Sequence, residues 1–308
     1  MTNGHNLGVP SPVADAAPVT VDRTQRPTAS LLLSCQDQPG LVATVAEFVY
    51  RHGGNILHAD HHVDQGEGIF FQRVEFDLAG FRLDRDELLP AFRRATARFS
   101  MQCDVRFSDE LPRVAVLVSK QPHCLYDLLA RWRVGELRAE IPLVVSNHPD
   151  NEDIATFMGT EFRCLPVTPD TKPQQEQAVL ELLRAYEIDL VVLARYMQIL
   201  SGRFVGAYPA RIINIHHSFL PAFVGARPYH QAHQRGVKLI GATAHYATED
   251  LDEGPIIEQD VARVTHRDTV DDLVRKGRDL EKVVLARAVR THLENRVLAY
   301  GNKTVVFA

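Results

Sequence analysis

The chain has 308 residues, 45% of them hydrophobic, and a formal net charge of -5, which suits two hydrophobic cores and leaves no basic excess for a nucleic-acid partner. Lys and Arg are scattered among acids, and no stretch approaches the roughly 18 consecutive apolar residues of a membrane span. Four widely spaced cysteines, Cys35, Cys103, Cys124 and Cys164, form no Cys-x-x-Cys pair, which argues against a zinc ribbon and a disulfide framework and predicts reduced thiols in a cytoplasmic protein.

Residues 1–27 are rich in Pro, Ala, Thr, Ser and Asn and lack the basic and apolar regions of a secretory signal. A disordered tail is expected there, since little apolar surface offsets its ordering entropy. From Ser30 the pattern changes. Leu31-Leu32-Leu33 predicts a strand and Asp37-Gln38-Pro39-Gly40 a turn, while Leu41, Val42, Val45, Phe48 and Val49 follow helical spacing that Gly53-Gly54 is placed to end. Asn55-Ile56-Leu57 leads into His62-Val63, then Asp64-Gln65-Gly66-Glu67-Gly68 as turn chemistry, then Phe70 to Phe76, which together predict a β-hairpin. Asp84 or Asp86 is a candidate cap for a helix carrying Leu88, Leu89, Phe92 and Ala95, and Met101 to Phe107 closes the unit as a strand. The order βαββαβ, over residues 28–107, is ferredoxin-like.

Asp37-x-Pro39-Gly40-Leu41-Val42 and Gly53-Gly54-Asn55-Ile56 resemble the ACT domain. The resemblance implies a small amino-acid effector bound near Asp37, Gly40, Asn55 and Ile56, where two copies of the module meet, and hence a homo-oligomer. Helix-start amides near Gly40 suit a carboxylate, and the Asn55 side chain offers a donor and an acceptor. Asp37, Gly40 and Asn55 are equally ordinary turn and cap residues.

Ser108-Asp109-Glu110-Leu111-Pro112 reads as a linker, and residues 113–308 as a second unit. Val114 to Val118, Ile141 to Val145, Phe162 to Val167, Ile188 to Leu193 and Ile212 to Ile215 are expected strands. Helices run through Leu125, Leu128 and Leu129 and from about Pro173 to Tyr186, and a short strand starts at Lys303. Strands alternating with helices predict a doubly wound, mostly parallel Rossmann-like α/β sheet with its site at the carboxyl ends of the strands.

The densest polar cluster, Asn214-Ile215-His216-His217-Ser218-Phe219-Leu220-Pro221, follows an apolar run. Asn214 and His216 are two apart, so on an extended backbone both face one substrate. An amide and an imidazole aimed at one carbonyl suit acyl transfer, where charge develops on oxygen and an amine must leave. Asp252, on a loop that ends at Gly254-Pro255, is the carboxylate that could orient His216 or a water. The pair also fits a turn Asn and a partly buried His. The many histidines (His58, His61, His62, His216, His217, His230, His233 and His245) raise a metal-dependent hydrolase as an alternative, but His230-x-x-His233 lacks the register and the Glu of a zincin helix, and no metal is expected.

Asn214-x-His216-x-Ser218-x-Leu220-Pro221 with Leu251-Asp252-x-Gly254-Pro255-Ile256 resembles the signature of the folate-dependent formyltransferase fold. That resemblance implies Asn214, His216 and Asp252 as catalytic residues, with the formyl-folate as substrate and no cofactor. It implies a folate pocket lined by Met197, Gln198, Ile199 and Leu200, with backbone contacts from the loop around Ala247 to Asp252, Ala247 and Asp250 among them. Taken alone, Met197, Ile199 and Leu200 fit plain core residues as well.

Ser119-Lys120-Gln121-Pro122-His123-Cys124-Leu125 stands where phosphate-binding transferases of the family carry a glycine-rich loop. It has no glycine, and Pro122 lacks an amide donor. The runs around Ser119-Lys120, Val145-Ser146-Asn147-His148, His216 to Phe223 and Gly225 to Ala232 resemble the hydrolytic branch, in which water is the acceptor. The resemblance then implies hydrolysis of 10-formyltetrahydrofolate to formate and tetrahydrofolate, serving one-carbon and purine metabolism, with methionine and glycine as precedents for the effector. His217 is a candidate for confining the water. An unphosphorylated amine acceptor, and a sensor without catalysis, are the alternatives.

Overall fold

The computed structural model describes residues 26–221 and 228–308. Nearly all of the expected tail lies outside the described residues, as do Phe223 and Gly225-Ala226-Arg227. The front unit runs β1 (Thr28–Gln36), α1 (Leu41–Arg51), β2 (Asn55–Asp64), β3 (Ile69–Asp77), α2 (Arg85–Ala95) and β4 (Gln102–Phe107). Its strands lie antiparallel in the order β2-β3-β1-β4.

Alternation within these strands sorts the side chains between two cores. Leu31, Leu33, Val74 and Phe76 pack on Val45, Phe48 and Val49 of α1 and on Leu88 and Phe92 of α2. Leu32 and Phe71 face the other way. At the β2-β3 turn the Asp64 carboxylate accepts the amides of Gly66 and Glu67 at 2.9 and 3.2 Å, and Gly68 takes φ +66°, a backbone form that glycine adopts without steric cost. Asp84 stands at the N-cap of α2, but its side chain makes no capping bond. Its carbonyl alone serves the helix, accepting the amides of Glu87 and Leu88.

The second unit runs β5 (Arg113–Val118), α3 (His123–Arg133), β6 (Glu140–Ser146), α4 (Glu152–Phe157), β7 (Glu161–Cys164), α5 (Lys172–Ala185), β8 (Leu190–Leu193), α6 (Gly202–Ala207) and β9 (Ile212–His216). It continues through α7 (Pro228–Arg235), β10 (Leu239–Tyr246), β11 (Ile256–Arg263), α8 (Val270–Leu293), β12 (Val297–Tyr300) and β13 (Lys303–Val306). The seven-stranded sheet has the order β11-β10-β9-β8-β5-β6-β7. Strands β5 to β9 run parallel to one another, and β10 and β11 add an antiparallel edge. Both faces are covered. Val114, Val116 and Val118 meet α3 and α8, while Ala115 and Leu117 meet α5 and α6, so the strand reads as a continuous apolar run.

Two strands are shorter than their apolar runs. β7 stops at Cys164, two residues ahead of Pro166, which cannot donate to a ladder. β8 starts at Leu190 because Ile188 is spent closing α5, its amide donating to the Leu183 carbonyl after Glu187 turns to φ +51°. The short strand at Lys303 forms as β13 and pairs with β12. This hairpin reaches back to the front unit, where Val305 and Phe307 cover Leu32 and Phe71, and the hydroxyl of Tyr300 donates to Asp64 at 2.8 Å.

The β10-β11 connection is closed by the Tyr246 amide donating to the Pro255 carbonyl at 2.9 Å. A Cβ on Gly254 would stand 1.8 Å from the Tyr246 carbonyl oxygen, so a side chain there forces the loop off the strand. Gly254→Ala is expected to cost about 2 kcal/mol and to lower the melting temperature. An unchanged melting curve would remove this constraint from the loop.

Candidate active site

β9 and β10 pair antiparallel with Asn214 opposite His245 and His216 opposite Thr243. Because alternate residues share a face, four polar side chains line one patch of an otherwise apolar sheet. Beyond β9 the chain is tied down by Thr243, whose hydroxyl donates to the Ser218 carbonyl at 2.9 Å and accepts the Leu220 amide at 3.1 Å. Gln259 of β11 donates to the same hydroxyl at 2.9 Å.

Asp252 swings over this patch from the β10-β11 loop, with φ +59°. That left-handed form is uncommon for a residue with a Cβ and carries a cost that the surrounding contacts must meet. Its Oδ2 lies 3.1 Å from His216 Nδ1 and its Oδ1 lies 3.7 Å from His245 Nε2. Asn214 Nδ2 lies 3.2 Å from the same His245 nitrogen. The three residues expected from the sequence therefore meet, joined through a fourth. In the sequence His245 is one histidine among many. The available signal was the Thr243-x-His245 alternation, which mirrors Asn214-x-His216.

The hydrogen bonds place a proton on one nitrogen of each ring. His245 Nδ1 lies 3.0 Å from the Tyr246 carbonyl, which can only accept, so Nδ1 carries a proton, and Nε2 faces both the Asn214 amide and the Asp252 carboxylate. His216 gives its Nδ1 proton to Asp252 and turns Nε2 toward the Ser218 hydroxyl at 2.8 Å. Burial alone would raise the Asp252 carboxyl, but the hydrogen bonds and charges of His216 and His245 outweigh it, holding the group well below the usual carboxylate range. The pairing is thus complete above the carboxyl's unfolded value and is lost only as pH falls through the much lower folded one.

His217 is half-buried, with its ring 5.1 Å from that of His216 and 6.3 Å from that of Tyr229. Burial first, then the charges of Arg195 and His216, push it down to about 4.

Met197 and Ile199 are 58% and 56% exposed, which corrects the plain core reading for these two residues of the Met197-Gln198-Ile199-Leu200 segment, while Leu200 is half-buried and packs against the core. The segment is pinned at both ends, Met197 donating its amide to Ser119 Oγ at 2.9 Å and Ser201 donating its own to Glu176 at 3.0 Å. Apolar side chains are thus presented outward beside the carboxyl ends of the strands, where Leu251 is also exposed. Of the loop groups expected to contact folate, the Ala247 amide is already committed to the Ile212 carbonyl at 2.8 Å. The Asp250 carbonyl accepts the Thr248 hydroxyl at 3.0 Å, while the Asp250 side chain is exposed.

The Formyl transferase family matches residues 112–289 and the ACT domain family matches residues 29–96. A formyltetrahydrofolate deformylase of Synechocystis is 63% identical over 284 residues, which cover 92% of this chain and 100% of that one. The chain belongs to the formyltetrahydrofolate deformylase family. The Bacillus subtilis deformylase is 51% identical over 90% of this chain and 93% of its own. The crystal structure of a deformylase from Pseudomonas syringae superposes with a TM-score of 0.90 at 47% identity, covering 93% of this chain and 96% of that one. The ferredoxin-like front unit is an ACT domain, and the doubly wound unit behind it is a formyltransferase domain.

Within one deformylase chain the residues expected at the effector site do not meet. Asp37 and Gly40 follow β1 at the end where Gln36 pairs with Ile69, whereas Asn55 and Ile56 open β2 opposite Asp77 and Phe76, at the far end of the sheet. Asp37, Gly40 and Asn55 are exposed, and β2 is an outer strand of its sheet.

His217 should titrate in a histidine NMR experiment with a midpoint of about 4 and stay neutral through the range in which an ordinary imidazole, near about 6.5, takes up its proton. Stability tied to it is complete above the unfolded value and declines as pH falls toward the folded one. A midpoint at the ordinary value would show the ring to be solvated and free of its neighbours' charge.

Proposed function

We propose that the chain hydrolyses 10-formyltetrahydrofolate to formate and tetrahydrofolate, with Asn214, His216 and Asp252 as the reacting constellation. The observation that carries this reading is that His216 and His245 both face one ionised carboxylate at the end of β9, with Asn214 joined to it through His245. The pterin lies against the exposed Met197 and Ile199, beside the half-buried Leu200, with Gln198 and the Ala247 to Asp250 loop at its polar edge. The formyl carbon faces Asn214 and His216.

Water adds to the formyl carbon, and the oxyanion forms against the Asn214 amide and the His216 ring. His216 shuttles the proton, supported by the fixed negative charge of Asp252. The C–N10 bond then breaks as N10 takes up a proton, releasing formate and tetrahydrofolate. His217, held neutral, accepts a hydrogen bond from the attacking water without repelling the charge that builds on His216. This chemistry needs no metal or other cofactor, because attack, charge stabilisation and proton transfer are each matched by a side chain.

The exposed polar groups of Asp37, Gly40, Asn55 and Ile56 form an amino-acid site only when a second copy brings the opposite sheet end alongside, so the reading includes a homo-oligomer paired through the ACT sheets. The boundary between the units is placed at 108–112, and the reaction in the cytoplasm, consistent with four unpaired thiols. Among the described residues no helix is long and apolar enough to cross a membrane.

Formate release from 10-formyltetrahydrofolate by the metal-stripped protein, without an amine acceptor, is the expected result, and methionine or glycine should change its rate. Asn214→Ala is expected to lower turnover about 100- to 1000-fold with the circular dichroism spectrum unchanged. A turnover near that of the parent protein would remove Asn214 from the mechanism.

A further inference from the structure

The parallel sheet reverses its winding between β5 and β8. From β5 the chain moves outward to β6 and β7, then returns to the other side of β5 for β8 and β9. Where winding reverses, the loops diverge and leave a crevice at the carboxyl ends, the place where open α/β sheets commonly seat a ligand. Here Ser119, just beyond β5, donates its amide to the carbonyl of Arg195, just beyond β8, at 3.2 Å. His123 opens α3 directly above.

This crevice is filled from within. Glu281 of α8 is 1% exposed. One carboxylate oxygen accepts the Tyr229 hydroxyl at 2.8 Å, and the other accepts His123 Nε2 at 2.7 Å and faces Arg195 Nε at 3.5 Å. Burial alone would favour the neutral acid, but the hydrogen bond of His123 and the charge of Arg195 outweigh it and hold the carboxyl below its usual range. A Cβ on Gly277, one helical turn earlier on α8, would stand 2.0 Å from the Tyr229 hydroxyl oxygen, so glycine is what admits the ring. The other edge of Tyr229 meets His217, and His217 meets His216. The cluster is therefore a wall of the site beside His217, and it adjoins the Met197 segment through Arg195 and Ser119.

Cys124 Sγ, His123 and Glu281 lie within 4.8 Å of one another, a spacing that could suggest a cation. Both Glu281 oxygens are already engaged and the Arg195 guanidinium opposes a second positive charge, so the donor set favours the internal ion pair.

We infer that the Glu281 cluster is a built-in occupant of the acceptor side of the site, a protein carboxylate and phenol standing where an amine-bearing co-substrate must enter, so that only water reaches the formyl carbon. The inference rests on the hydrolase reading above. It makes specificity a matter of exclusion. A purely apolar plug could be pushed aside by a tightly binding amine, whereas displacing Tyr229 strips a hydrogen bond from a carboxylate that has no solvent to replace it.

The test offers the full chain 10-formyltetrahydrofolate together with glycinamide as a small amine, and measures formate and N-formylglycinamide in the same tube. The parent protein should give formate alone above the uncatalysed background. Tyr229→Ala and His123→Ala, which open the crevice from two sides, should raise the ratio of formylated amine to formate by about tenfold or more. Tyr229→Phe, which keeps the ring but removes the hydrogen bond to Glu281, should raise it by less than Tyr229→Ala does. An unchanged ratio in His123→Ala, and in Tyr229→Ala where it melts cooperatively, overturns the inference. Loss of both products in either folded alanine variant overturns it too, since the cluster would then belong to the hydrolytic machinery itself. A parent protein that releases no formate removes the hydrolase reading instead, and this inference with it.

Discussion

The Asp252 carboxylate stands between the imidazoles of His216 and His245, at 3.1 and 3.7 Å, with 12% of its side chain exposed. A charge so placed is costly unless its lone pairs are answered, and much of the surrounding structure answers them. The antiparallel pairing of β9 with β10 puts both rings on one face, the Tyr246 carbonyl sets the proton of one ring, and Asp252 itself sets the other. The left-handed backbone at Asp252 is the local cost of bringing a loop residue over a sheet. The close fit of Gly254 under Tyr246 prevents the loop from relaxing away.

A parallel sheet with both faces covered has only its ends to offer a substrate, and this sheet uses two parts of its carboxyl end differently. Beside β8 the pinned Met197 to Leu200 segment leaves apolar side chains in solvent, a surface whose burial under a planar ring is favourable. At the winding reversal the space is closed by charged and aromatic side chains that engage both oxygens of Glu281, while Arg195 Nε faces the carboxylate at 3.5 Å without a hydrogen bond. One part of the crevice is open and apolar, and the other is filled.

The order of elements was largely legible because hydrophobic period and turn chemistry agree along most of the chain. The leucine run of β1, the glycine pair after α1 and the Asp64 turn each carried their own physical signal. So did Asn214 and His216, whose spacing of two survives as a shared face. β10 and β11 were harder to read, since in β10 Thr243 and His245 interrupt the apolar run on which the other sheet strands were recognised. Two further features left no local trace. His123, Arg195, Tyr229 and Glu281 come from four separate elements, and nothing in the neighbourhood of any one of them announces the other three. The covering of Leu32 and Phe71 by Val305 and Phe307 likewise joins the two ends of the chain, and only the fold brings them together.

Helix α8 spans 24 residues, about 36 Å of continuous backbone hydrogen bonding. Its middle seats Tyr229 and presents Glu281. Its last turn holds His292, whose Nδ1 lies 2.7 Å from the Tyr246 hydroxyl, and just past its end the carbonyls of Glu294 and Asn295 accept the Arg73 guanidinium of the front sheet at 3.4 and 2.9 Å. Mechanically this is a stiff rod gripped at one end by the ACT sheet and bearing the acceptor wall about three turns away. A shift of the front sheet must either bend the final turn of that rod or arrive at Tyr229 as a movement of its seat, so the fidelity with which water alone is admitted is tied to how firmly the two units hold one another.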